Sequence, residues 1–248
     1  MQNNFINRIY NIDKINKEVV VSKESVYKVK ADYIPIIIGL DITSIIGNKL
    51  ITLFKESISG LQSITECSEL KPTFAFAGIG DQYYDRYPIQ MGQFSDNLIN
   101  LHSWLTKFYL ENGGGGNLHE SYQLLWYIAM NNVKMDKSKK GIIITIGDEN
   151  VHSTLDKFNL YYGGDSIAVT AKDLLKFTRT QWYVHHIHLM DNPHLDISKW
   201  GRLLGDDLHT VLNVNKIIPL IQTIVCKILV EEKTINFGIN ISGKITML

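Results

Sequence analysis

The stretch that decides the fold is YIPIIIGLDITS, residues 33–44. Residues 33–40 are apolar at almost every position, so the strand that they predict must be covered on both faces. Such a strand is typical of a parallel sheet that lies between two layers of helices. The apolar run ends at Asp41, and Thr43 and Ser44 follow it directly. The end of the strand therefore carries side chains that can bind a ligand.

The same pattern of apolar runs returns along the chain and alternates with segments of helical periodicity. Further strands are predicted at 73–79, 141–146, 182–189 and 210–214, with a short antiparallel edge at 88–94. Helices are predicted at 46–61 with Gly60 as C-cap, from Ser95 onward, through 124–128, at 168–180, and at 216–230 with Pro219 in the first turn.

This alternation predicts one α/β domain with a doubly wound, mainly parallel central sheet and helices on both faces. We assign residues 33–231 to this domain. Residues 1–32 form an N-terminal extension that contains a further strand at 19–29. Residues 232–248 form a C-terminal β extension, in which 234–248 is a hairpin that turns at Ser242 and Gly243.

Composition excludes several classes of function. Lys and Arg total 25, as do Asp and Glu, so the 248-residue chain lacks the basic excess expected of a general nucleic-acid binder. No apolar run approaches the roughly 20 residues of a membrane span, and the first residues lack the apolar centre of a signal peptide. Cys67 and Cys226 show no metal-binding spacing, so we expect two reduced, packed thiols. These observations predict a cytoplasmic protein without membrane or nucleic-acid partners.

Polar side chains follow each of the first three long strands, and others follow the glycine run Gly113 to Gly116. Because parallel strands end at one edge of a sheet, these groups should converge there. Their hard oxygen ligands suit Mg²⁺, Mn²⁺ or Ca²⁺ better than zinc. The residues are Asp41, Thr43 and Ser44, then Asp81 and Asp85, then Asp148, Glu149 and His152, and finally Asn117 and Glu120.

This arrangement resembles the von Willebrand factor type A (vWA) family, in which an apolar strand ends in Asp-x-Ser-x-Ser. Asp41 and Thr43 match the first and third positions of that motif, Asp148 matches the later aspartate, and Ile45 replaces the last serine. The threonine usual in the second loop is missing, and residues 114–120 are instead similar to a Gly-Gly-Gly-Asp-x-Pro-Glu variant of the family. The resemblance covers residues 33–230.

The resemblance implies a metal site formed by Asp41, Thr43 and Asp148. Additional polar ligands are Ser44, Asp81, Asn117 and Glu120. It also implies a protein-binding module, in which a partner's carboxylate fills an open position on a bound Mg²⁺, Mn²⁺ or Ca²⁺. We expect the partner protein to contact Tyr84, Arg86 and His152, with the C-terminal segment 234–248 as the rival surface.

Two other functions stay open. A metal-dependent hydrolase would hold its metal with Asp41, Asp81 and Asp148 and use His152 or Glu149 as base. A structural subunit would leave the same site empty. The glycine run is not followed by Lys-Ser/Thr, which excludes a nucleotide-binding P-loop.

The three histidines of the strand at 182–189 alternate between its faces, so His186 and His188 share one face and His185 takes the other. We interpret them as strand-centre histidines satisfied by hydrogen bonds. A two-histidine metal pair is the alternative.

Overall fold

The computed structural model describes residues 16–67, 69–85, 87–110, 118–155, 168–190 and 195–236. Six strands form the central sheet. In chain order they are β1 (Tyr33–Asp41), β2 (Lys71–Ile79), β3 (Ile89–Met91), β4 (Gly141–Gly147), β5 (Trp182–Leu189) and β6 (Leu208–Val211). Their spatial order is β6-β5-β4-β1-β2-β3. The predicted α/β class, with a mostly parallel sheet, is confirmed.

All neighbouring strands are parallel except β2 and β3, which pair antiparallel with Ala77 opposite Met91. The predicted antiparallel edge is therefore confirmed. Strand β1 lies between β4 and β2 in the sheet interior, as its uninterrupted apolar sequence requires. The last strand is residues 208–211, two residues earlier than its predicted start.

Helices pack against the sheet in two separate hydrophobic clusters. One cluster contains Ile36 and Ile38 of β1, and the other contains Ile37, because successive side chains of a strand point to opposite faces. The helices are α1 (Ser44–Ser57), α2 (Leu98–Lys107), α3 (Tyr122–Asn132), α4 (Ala171–Thr178), α5 (Ser198–Leu204) and α6 (Ile217–Asn236). Helices α1, α2 and α6 contribute to the first cluster, and α3, α4 and α5 contribute to the second.

Two predicted helix boundaries are wrong. Gly60 does not cap α1, because a 3₁₀-helix continues from Ile58 to Glu66 and buries every third residue, namely Ile58, Leu61 and Ile64. Helix α2 begins at Leu98, and its N-cap is Asn97, whose side chain accepts from the backbone of Ile99 at 2.8 Å. Ser95 instead bridges to Phe74 of strand β2.

The two ends of the described chain also differ from the sequence prediction. No single strand spans residues 19–29: Val20 bridges to Gln90, and Tyr27–Lys28 pairs in parallel with Val133–Lys134. Residues 234–236 belong to α6 rather than to a hairpin, and residues 237–248 lie outside the described chain. In the part that the structure describes, no helix is both long and apolar enough to cross a bilayer.

A disulfide joins Cys67 and Cys226, whose Cα atoms lie 5.7 Å apart. The prediction of two reduced thiols is wrong, because the pairing depends on tertiary contacts between residues 159 positions apart. The bond ties the end of the 3₁₀-helix Ile58–Glu66 to helix α6. It crosslinks two elements that already pack in the same cluster.

Candidate functional site

Asp41 lies at the centre of the candidate site. It is the last residue of β1 and is fully buried. Its Oδ1 accepts from the Thr43 backbone N–H at 2.9 Å and from the Thr43 hydroxyl at 2.6 Å. Its Oδ2 accepts from the Tyr122 hydroxyl at 2.9 Å. Burial raises the pKa of Asp41 to about 7, the hydrogen bonds from Thr43 and Tyr122 oppose that rise, and the charge of Asp148 adds to it.

The end of strand β4 passes directly beside this carboxylate. A methyl group added at Gly147 would lie 2.9 Å from Oδ2 of Asp41 and would overlap the Tyr122 hydroxyl. Asp148 comes next; burial is the main cause of the raised pKa values of Asp41 and Tyr122, and the charge of Asp148 adds to both. Glu149 follows, where burial and then Asp148 raise the pKa of the carboxyl group to about 7. Asp148 therefore lies near enough to Asp41 and its partner Thr43 for its charge to act there, and the shared metal site stays a prediction.

Glu120 is the second buried carboxylate of the site. It belongs to the two-residue strand His119–Glu120, which pairs in parallel with Asn150–Val151. The Thr43 hydroxyl, which donates its proton to Asp41, also lies within hydrogen-bond range of the Glu120 carboxylate, while Oε2 has no hydrogen-bond partner among the described residues. Burial raises the pKa of Glu120 well above its usual value, and the charges of Asp41, Asp85 and Asp81 raise it further. Glu120 therefore faces several acids.

The loop after strand β2 supplies two of these acids, Asp81 and Asp85, and both are buried. The Asp81 N–H donates to Oδ2 of Asp85 at 2.6 Å, and the Asp85 N–H donates to the Asp81 carbonyl at 2.9 Å. Oδ1 of Asp81 accepts from the Tyr83 N–H at 2.8 Å and lies 3.1 Å from Nε2 of His152. Asp81 thus stands near Glu120 but also holds a histidine in place.

A pocket of about 560 Å³ opens beside this histidine. Its walls include Tyr84, which is largely exposed, and His152, which is mostly buried. The rings of His119 and His152 stack at 5.4 Å, and Tyr83 meets His152 edge-on at 4.9 Å. Two of the three predicted partner contacts, Tyr84 and His152, therefore lie in one concave surface.

Some predicted site residues lie outside the described chain, namely Arg86, Asn117 and the glycine run 113–116. Ser44 begins helix α1, and its side chain is likewise outside the described part. Within the described ranges, no three His, Cys, Asp or Glu side chains are grouped closely enough to hold a metal ion. Two carboxylates, those of Asp41 and Glu120, approach the hydroxyl of Thr43.

The strand histidines are only partly satisfied by hydrogen bonds. Nδ1 of His186 lies 2.9 Å from the Thr145 hydroxyl, but its Nε2 and Nδ1 of His188 lack partners among the described residues. The ring of His186 stacks on Trp200 at 3.8 Å. Burial lowers the pKa of His186 well below the usual value and that of His188 to about 4. On the opposite face, Nδ1 of His185 lies 3.3 Å from Nε2 of His209.

Sequence reasoning missed Tyr122, which touches both the acidic site and the histidine face. Its ring meets His186 edge-on at 4.9 Å and Trp200 at 5.4 Å, while its hydroxyl reaches Asp41. A tyrosine that opens a helix carries no ligand motif, so no sequence signal pointed to it.

Comparisons with known proteins extend to the fold alone. No protein-family model matches the chain, and no curated protein matches it either. The pilus adhesin SpaC from Lactobacillus rhamnosus GG, in its open conformation, matches 82% of this chain with a TM-score of 0.53 and 10% identity. Proximal thread matrix protein 1 from the mussel byssus matches 80% of the chain with a TM-score of 0.52 and 10% identity. The matches cover 31% and 47% of those two proteins, so this chain corresponds to only part of each.

Proposed function

We propose that the chain is a doubly wound, vWA-like module that binds a partner protein through a divalent cation at the carboxyl edge of the sheet. The observation that carries this proposal is the environment of Glu120. Its carboxylate is buried, its Oε2 lacks a partner among the described residues, and the charges that act on it are those of Asp41, Asp81 and Asp85. Buried carboxylates that face one another are costly when they are charged, and either protonation, in keeping with the raised pKa of Glu120, or a positive charge relieves that cost. A divalent cation would supply that charge.

The oxygen ligands present are of the kind that a hard cation prefers, but the described acids are not grouped closely enough to hold an ion, so binding would have to draw them together. Asp41, Thr43 and Asp148 would hold it, with Glu120 as a further oxygen ligand, and this set suits Mg²⁺, Mn²⁺ or Ca²⁺. When bound, the cation would act as a Lewis acid that accepts a carboxylate of the partner protein.

A surface for a partner protein surrounds this site. Three large apolar or aromatic side chains are more than half exposed there: Ile45 (73%), Tyr84 (62%) and Leu118 (56%). Ile45 is two residues from Thr43, Leu118 is two residues from Glu120, and Tyr84 lies in the loop of Asp81. Apolar groups around a polar centre are typical of protein interfaces. The shared fold of an adhesin and a matrix protein also favours binding over catalysis.

The hydrolase and the structural subunit are the two competing proposals. The contact between Asp81 and His152 and the pKa of about 7 for Glu149 favour the hydrolase, because both are features of general bases. The bond from Tyr122 to Asp41 favours the structural subunit, because a hydroxyl donor then occupies the carboxylate. Generic phosphatase and nuclease assays with Mg²⁺ or Mn²⁺ test the first of these.

The binding proposal is tested by cation-dependent capture. The native protein, Asp41→Asn and the surface control Asp136→Asn are immobilised and exposed to extract from the native source, in Mg²⁺ and in EDTA. We expect one partner to be retained in Mg²⁺ by the native protein and by Asp136→Asn, and to be lost in EDTA and with Asp41→Asn. Capture that is equal in EDTA and Mg²⁺ would contradict a cation-dependent site.

The cytoplasmic location stays a prediction. The bond between Cys67 and Cys226 favours an oxidising compartment instead, because cytosolic thiols are usually kept reduced. Alkylation of the protein in its native source, before lysis, distinguishes the two, since only free thiols react.

A further inference from the structure

The pocket beside His152 is lined by basic and hydroxyl groups, in contrast to the acidic site. Among the described residues, its lining contains two imidazoles, one ammonium group and several hydroxyls, and no carboxylate. The lining residues are Tyr83, Tyr84, His119, His152, Ser153, Thr154 and Lys199, and we call this set the histidine-lysine pocket. Such a lining offers hydrogen-bond donors to an anion.

Lys199 supplies the ammonium group of the pocket. It lies in the first turn of helix α5 and is partly buried. Among the described residues it has no acidic partner, and burial together with the charge of Arg202 lowers its pKa. An ammonium group in this position gains from an incoming negative charge.

Contacts with neighbouring side chains fix the orientation of His152. Its Nε2 lies 3.1 Å from Asp81, a fully buried carboxylate, and its ring is held between His119 and Tyr83. A carboxylate on one ring nitrogen fixes the orientation of an imidazole and leaves the other nitrogen for a ligand. In the ring that donates Nε2–H to Asp81, Nδ1 is an acceptor when the imidazole is neutral and donates to an anion only when the imidazole is protonated.

We propose that the histidine-lysine pocket binds a carboxylate side chain of the partner protein. The assignment to the same partner rests on the proposed function. The partner would then carry two acidic residues, one for the cation and one for this pocket. We choose a carboxylate because its single negative charge matches the single ammonium group of the described lining, and inorganic phosphate is the competing ligand in the test.

The test uses N-acetylglutamate α-amide, a small molecule with one side-chain carboxylate, and it is done on protein freed of divalent cations with a chelating resin, because the carboxylates of dissolved EDTA would compete for the pocket. The imidazole C–H resonances of His119 and His152 are followed by NMR during titration. We expect both resonances to shift, with millimolar affinity. Lys199→Gln should weaken binding about fivefold, the size of one partly screened charge pair. Lys199→Arg should retain most of the affinity, and Lys172→Gln, an exposed lysine of helix α4 outside the pocket, should match the native protein.

Three results would overturn the proposal: no shift with the native protein, equal affinity in folded Lys199→Gln, or tighter binding of inorganic phosphate than of the carboxylate. Far-ultraviolet circular dichroism establishes that each variant is folded. Because the protein is free of divalent cations, this outcome does not depend on whether the cation site exists. Failure of the pocket and failure of the cation site are therefore separate results.

Discussion

The hydroxyl of Tyr122 donates a hydrogen bond to Oδ2 of Asp41 at 2.9 Å, although the two residues are 81 positions apart. Both side chains are fully buried. The bond joins the first turn of helix α3 to the end of strand β1. It is therefore the link between the helix that follows Glu120 and the carboxylate at the centre of the candidate site.

Tyr122→Phe should destabilise the metal-free protein. The substitution removes a donor from a buried carboxylate and leaves Oδ2 of Asp41 without it, which costs about 1–3 kcal/mol of unfolding free energy. Denaturation by urea in EDTA measures the loss. Tyr33→Phe is the matched control, because its hydroxyl bonds to the exposed carboxylate of Asp96 at 2.7 Å and should matter less. Equal effects of the two substitutions would contradict the buried bond.

His188 should make the stability of the protein depend on pH. Burial lowers its pKa to about 4 in the folded chain, against about 6.5 when unfolded. As the pH falls from 6.5 to 4, the unfolded chain takes up a proton that the folded chain does not, so the unfolding free energy decreases. Below pH 4 the loss from this group is complete.

The variant His188→Asn isolates this effect, because it removes the titrating ring and keeps the other ionisable groups. Between pH 7 and pH 5, the native protein should lose about 2 kcal/mol relative to the variant, as measured by urea denaturation. Buried acids such as Asp41, whose pKa is raised, act in the opposite direction but contribute to both proteins. If the unfolding free energies of the two proteins changed equally with pH, His188 would not be buried as a neutral ring.

Removal of the disulfide should lower stability. The bond closes a loop between residues 159 positions apart, for which the chain-entropy relation gives about 5 kcal/mol as an upper value. The double variant Cys67→Ser with Cys226→Ser should therefore unfold at lower urea concentration than the oxidised native protein. The native protein after reduction should behave like the variant. If reduction leaves the native midpoint unchanged, the two cysteines are not paired in solution.

The sequence was sufficient for the strands that lie inside the sheet. Residues 33–40 and 141–146 are apolar on both faces, and covered parallel strands require that pattern whatever the rest of the chain does. The bounds of the edge strand were harder to predict. Strand Leu208–Val211 is short and partly exposed, so hydrophobicity did not distinguish it from the following residues of the predicted strand.

Contacts between distant residues could not be predicted. The disulfide of Cys67 and the bond from Tyr122 to Asp41 both depend on how helices dock on the sheet, and neither leaves a local pattern. The candidate site could be predicted in part. Asp41, Thr43 and Glu120 could be placed together because each follows a strand or opens a helix at one edge. Only the structure shows that Oε2 of Glu120 has no hydrogen-bond partner among the described residues.

The most direct test of the cation site is the melting temperature of the protein with Mg²⁺ and with EDTA. A ligand at 100 times its dissociation constant adds about 2.7 kcal/mol to stability, which a melting curve resolves. The account predicts that Mg²⁺, Mn²⁺ or Ca²⁺ raises the melting temperature of the native protein and of the surface variant Asp136→Asn, and leaves Asp41→Asn unchanged. The same melting temperature for the native protein in EDTA and in saturating concentrations of all three cations would contradict it.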